Sequence, residues 1–93
     1  MDLFDVERPV LDNEDLKTAQ RLINEAQRAA RVKHGIGVML SPHEIFGILA
    51  EEWDELQKAL RSDDPDRFFR ELIDIAQTAQ FGLACLVKAH GSD

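Results

Sequence analysis

The chain has no tyrosine and a single cysteine, and its basic residues are outnumbered by its acidic ones, 11 to 18. Each shortage excludes something. With Cys85 alone no internal disulfide can form, and no CxxC or Cys/His spacing offers a zinc site. Cys85 reads as a small packed residue near the end of a helix. The formal charge of −7 argues against a general DNA- or RNA-binding surface, because phosphate backbones need clustered Lys and Arg. The start, Met1-Asp2-Leu3-Phe4-Asp5-Val6-Glu7, lacks the basic residues and apolar run of a signal peptide. No uninterrupted apolar run approaches a membrane span. The expectation is a cytoplasmic protein with neither a membrane nor a nucleic-acid polymer as partner. A nucleotide as small-molecule substrate stays open, since divalent metals bridge acidic side chains to phosphates.

Strand-like alternation, internal repeats and low-complexity stretches are also missing. What is present is helical. Ninety-three residues, 44% of them hydrophobic, make one small domain, 1–93, whose apolar surface is poorly covered when it folds alone. Residues 1–12, with Pro9 and scattered acids, read as an extended arm. The first helix starts with Asp12 or Asn13 as N-cap and runs to about Lys33, with an apolar stripe from Leu16 to Ala30. Gly35 and Gly37 stop it. For the second helix, Ser41 is the N-cap, Pro42 the first helical residue, and Glu44 closes a capping box. It continues to about Arg61. Asp64 caps and Pro65 opens a third helix, which runs to about Ala89, with a bend allowed at Gly82 and residues 90–93 left as a tail. The fold class is all-α: an antiparallel bundle of three main helices, completed by oligomerisation. The apolar arc of the third helix, from Phe68 to Val87, is broader than two neighbours in one chain would cover, which puts it in a subunit interface.

Two acidic pairs carry the chemistry. Glu52 and Glu55, and then Glu71 and Asp74, each stand three positions apart, one helical turn. At about 100° per residue, with Ile45 at zero, Glu52 falls at about 340°, inside the apolar arc, and Glu55 at about 280°, on its edge. Glu51 and Asp54 point away. With Phe68 at zero, Glu71 and Asp74 fall at about 300° and about 240°, bordering the apolar arc beside Thr78. Both pairs face the seam between helices, where an ionised carboxylate is costly unless paired or coordinated. For Glu52 alone, a salt bridge to a neighbouring helix is the simpler reading. Four such residues in two matched pairs point to a cation. All-oxygen donors suit Mg²⁺, with Mn²⁺ as substitute. A di-iron bundle would need Glu-x-x-His on two helices, and here the fourth residue is Glu55 or Asp74. His34 and His43 lie at helix ends, where a surface or capping role suffices.

The motif Glu52-x-x-Glu55 followed by Glu71-x-x-Asp74, within the runs Leu49–Leu56 and Arg70–Ile75, resembles the signature of the MazG-like, all-α nucleoside triphosphate pyrophosphatases. The likeness spans roughly Leu16 to Val87. It implies that Glu52, Glu55, Glu71 and Asp74 hold Mg²⁺ and are the catalytic residues. A metal-activated water would then cleave a (deoxy)nucleoside triphosphate to the monophosphate and pyrophosphate. It also implies a homodimer or homotetramer, although no clear fourth helix follows the third. Amides on the first helix could read a base edge (Gln20, Asn24 and Gln27), and Lys58, with Arg61, Arg67 and Arg70, could neutralise phosphate. For these cations a solvated helix flank is the plainer reading. Trp53 reads as a core or interface aromatic rather than a stacking platform. Two alternatives remain: a non-catalytic oligomerisation module whose acids form interfacial salt bridges, and a phosphoribosyl-ATP pyrophosphohydrolase-like enzyme.

Overall fold

The computed structural model describes residues 7–91. Three helices follow in order: α1 (Asn13–His34), α2 (Pro42–Arg61) and α3 (Pro65–Gly91). All three starts are built by side chains. Asp12 accepts from the Asp15 amide at 3.0 Å while Asp15 accepts from the Asp12 amide at 3.2 Å, a full capping box. At α2 the box is half formed. Ser41 Oγ accepts from the Glu44 amide, but the Glu44 carboxylate turns back to the Leu40 amide instead, at 3.0 Å. Asp64 accepts from the Arg67 amide at 3.1 Å and starts α3.

The stops are equally local. Gly35 sits at φ +84°, a left-handed conformation that favours glycine, and its N–H reaches back to the Arg31 carbonyl at 2.8 Å. The turn between α2 and α3 places Asp63 at φ +56°, which a short polar side chain tolerates. Gly82 does not interrupt α3, and His90 and Gly91 continue it beyond the expected end at Ala89. Of the arm, residues 7–12 are exposed and carry no regular secondary structure; positions 1–6, like 92–93 of the tail, lie outside the described residues.

The helices run up, down, up. α3 is the middle of the layer and packs against both α1 and α2. Gly82 explains the closeness on the α2 side: a Cβ there would stand 2.8 Å from Ile45 Cγ2. Cys85 is buried beneath the α1–α2 loop and takes a hydrogen bond from the Met39 amide. The core itself is thin. Leu56, Ala59 and Cys85 are its buried apolar members, with Gln77 and Thr78 buried among them. α1 has no buried residue, and Leu16, at the head of its stripe, is open to solvent. Trp53 is also exposed, so within one chain it is not a core residue.

Candidate metal centre and its cleft

The antiparallel packing of α2 on α3 brings Glu52 over the turn of α3 that carries Glu71 and Asp74. One carboxylate oxygen from each lies within 4.8 Å of the others. Glu52 and Glu71 are half-buried, and Asp74 is exposed. Burial pushes the Glu52 carboxyl above its ordinary value, and the charges of Asp74, Glu71, Glu55 and Glu51 push it further. Among the described residues, no salt bridge reaches Glu52, Glu71 or Asp74. Three mutually repelling acids without a cationic partner are the arrangement a divalent ion neutralises. The donor set is all oxygen, which suits a hard cation. Three carboxylates leave part of such an ion's coordination shell to water, as Mg²⁺ prefers.

Glu55, the fourth acid of the motif, is turned elsewhere. One oxygen meets Lys58 Nζ at 3.3 Å and the other meets Arg67 Nη2 at 3.4 Å, the latter a bridge from α2 to α3. Lys58 is also paired with Asp54, and the two acids hold its ammonium protonated to higher pH than usual.

Beside the acids the space between α1 and α2 is open, with α3 as its floor. Two adjoining hollows, of about 410 and 350 Å³, share Glu52, His34 and Gln77. Asp74 and Lys33 line the smaller one, and Arg31, Thr78 and Phe81 the larger. The Arg31 guanidinium stacks 3.5 Å from the Phe81 ring centroid and donates to the Gly35 carbonyl. Gln27 Nε2 crosses to α3, donating to the Gln77 carbonyl at 2.7 Å and to Gln80 Oε1 at 3.0 Å. Gln77 Nε2 donates to Thr78 Oγ1. Three buried polar atoms here have no partner: Gln27 Oε1, Gln77 Oε1 and Arg31 Nε. Each orphaned group costs on the order of 1–3 kcal/mol, and Gln77 is only 8% exposed. Among the described residues these are the buried side-chain atoms left unsatisfied; Arg31 and Gln77 line the hollows, while Gln27 does not.

Of the amides expected to read a base, Gln27 is in contact with this floor. Gln20 and Asn24 hydrogen-bond each other on the exposed side of α1, and neither lines the hollows. Lys58 does not line them either. Residues that sequence reasoning passed over do: Arg31, Lys33, Gln77 and Phe81, together with His34, which had read as a surface helix end. The signal was available for α3, since Asp74, Gln77, Thr78 and Phe81 recur at helical spacing on one face. For Arg31 and His34 there was none, because their position depends on how α1 leans on α3.

No family model, curated protein or solved structure matches this chain.

Proposed function

We propose that the protein is a divalent-metal-dependent nucleotide pyrophosphohydrolase of MazG-like type, cleaving a (d)NTP to the (d)NMP and pyrophosphate, and working as a homo-oligomer. The observation that carries this reading is the Glu52/Glu71/Asp74 cluster, free of cationic partners, at the edge of a cleft that Gln77 lines with an unpartnered buried amide oxygen. Glu52, Glu71 and Asp74 would hold and orient Mg²⁺ or Mn²⁺, with Glu55 beside them once released from Arg67. Such an ion, when bound, polarises phosphoryl oxygens and lowers the pKa of water at the site. Arg31 and Lys33 place positive charge along the cleft wall for an anionic ligand. Gln77 Oε1, which lines both hollows without a partner, is an acceptor suited to the N–H donors of a base. The competing reading, acids held in interfacial salt bridges, has an observation behind it only at Glu55.

The deciding experiment is a screen of the purified protein against the common NTPs and dNTPs with Mg²⁺ or Mn²⁺, reading pyrophosphate release. Release by the wild type, lost in Glu52→Gln and Glu71→Gln variants that keep their helical circular dichroism, is the expected result. No release from any of them, with either metal, refutes the proposal.

A further inference from the structure

The chain exposes far more surface than its mass accounts for. A compact monomer of 10.5 kDa exposes about 5,400 Å² by the usual scaling with mass. This chain exposes 7606 Å². Residues 7–12, all exposed, take part of the roughly 2,200 Å² excess over that scaling, but most of the exposed large apolar side chains stand on the helices. A stable two-chain interface takes about 800 Å² from each partner, so the excess is large enough to supply one.

The exposed apolar surface is also ordered. On α3 the side away from the acids carries Phe69, Leu72, Ala76, Ala79, Leu83 and Leu86. Their spacing alternates three and four, the spacing of a seam between two packed helices. Phe69, Leu72 and Leu83 are 56%, 49% and 63% exposed. Between Ile75 and Val87 the helix has no charged residue. Two apolar grooves flank the seam and share Phe69 and Leu72, one shared with α1 at Leu22 and one with α2 at Leu60. On α2, Phe46, Trp53 and Leu60 recur every seven residues, all exposed, and Leu60 stands beside Phe69 and Leu72.

The order of sizes along the seam identifies what covers it. It reads large, large, small, small, large, large, and so reads alike from either end. We propose that this face binds a second copy of the chain, α3 against α3, antiparallel about a two-fold axis passing between Ala76 and Ala79. That axis sets Ala76 against the partner's Ala79, Leu72 against the partner's Leu83, and Phe69 against the partner's Leu86. The two alanines at the centre let the helix axes approach to about 8 Å, and the larger side chains close the ends over about 26 Å of helix. The interface is isologous, as a two-fold dimer requires. It lies on the far side of α3 from the cleft, so both clefts of the dimer face solvent, whatever they bind.

A lipid surface is the other candidate occupant, because α3 is long and apolar enough to cross a membrane, with a mean hydropathy of 1.2 over its best window. Two features disfavour it. Glu71, Asp74, Gln77 and Thr78 project from the same helix, and a spanning helix is apolar all round. The net charge of −7 is repelled by anionic lipid headgroups.

The test keeps the dimer intact. In a Cys85→Ser background, Leu72→Cys and Leu83→Cys are made separately and oxidised with copper–phenanthroline, alone and mixed after exchange of subunits. Like residues of the two copies are about 16 Å apart in this arrangement, eleven residues along the helix, beyond disulfide reach. Leu72 and the partner's Leu83 are adjacent. The expected result is a covalent dimer from the mixture and from the double variant, and none from either single variant. Light scattering should give the wild type twice the mass of one chain, and it should not float with vesicles of phosphatidylcholine and phosphatidylserine. A parallel pairing would link each single variant to itself. That result overturns the proposal, as do a mass of one chain, a wild-type dimer whose mixed variants do not cross-link, or flotation with the vesicles.

Discussion

Replacing Glu52 with Gln should stabilise the metal-free protein and destabilise it relative to wild type once metal is present. The side chain keeps its shape and loses its charge, so the change isolates repulsion. At 4.8 Å, the outer limit of the separations among these oxygens, two like charges cost about 3.5 kcal/mol at an effective dielectric near 20, and about 0.9 kcal/mol in bulk water. Asp74 is exposed and its two neighbours are half-buried, so the lower figure is the better guide, near 1 kcal/mol for each pair after screening. Glu52→Gln removes two pairs, with Glu71 and with Asp74, for a gain of about 2 kcal/mol. In a domain of this size that raises Tm by about 8–16 °C. Saturating metal reverses the order. An ion at a hundred times its dissociation constant stabilises the native state by about 2.7 kcal/mol, and the variant, short of one anionic ligand, captures little of it. The assay is thermal unfolding followed by circular dichroism, with EDTA and then with Mg²⁺, at one protein concentration. A variant less stable than wild type in EDTA would mean that Glu52 makes an attractive contact. Equal stabilisation of both proteins by Mg²⁺ would mean that the ion binds elsewhere. Either result refutes the reasoning.

Two further outcomes follow from the same geometry. In EDTA the stability of the wild type should fall as pH rises from about 4.5 through the raised pKa of Glu52. The folded state binds that proton more tightly than the unfolded chain does, so stability is fully present below the unfolded value and lost above the folded one; denaturant titrations across this range should show the slope in wild type and a flatter profile in Glu52→Gln. At Gly82, alanine would bring a Cβ to 2.8 Å from Ile45 Cγ2, a methyl that cannot swing aside without a new χ1 rotamer. The overpacking cost of about 1–3 kcal/mol should outweigh the gain of about 1 kcal/mol in helix propensity, so urea midpoints should fall, and a rise would show that α2 and α3 are loosely held there.

Much of this was legible beforehand for a definite reason. The helix starts and stops rest on groups within four residues of one another: Asp12 with Asp15, Ser41 with Glu44, Asp64 with Arg67, and the glycine break at Gly35. Such signals survive in sequence because chain connectivity alone holds the partners together. The half-formed box at Ser41 marks the limit of this, since whether Glu44 reaches Ser41 or Leu40 depends on how the loop enters α2. Helical periodicity also gave the facing of Glu52, Glu71 and Asp74, because a wheel needs no knowledge of the neighbouring helix.

Partners across helices were not legible. The wheel placed Glu55 on the seam, yet the packing of α2 on α3 set Arg67 beside it, and the pair turned Glu55 away from the other three acids. Gln27 was singled out with Gln20 and Asn24 as amides able to read a base, and the lean of α1 on α3 separated it from them: Gln27 meets Gln77 and Gln80, while the other two bond each other in solvent. Arg31 and His34 entered the cleft wall by the same lean. By itself the sequence determined three helices, their limits and the face each acid occupies, since these follow from local hydrogen bonding and a fixed turn angle. Tertiary structure decided which acids converge, which one is drawn into a salt bridge and which amides are left unpartnered, because those depend on how the helices are placed against one another.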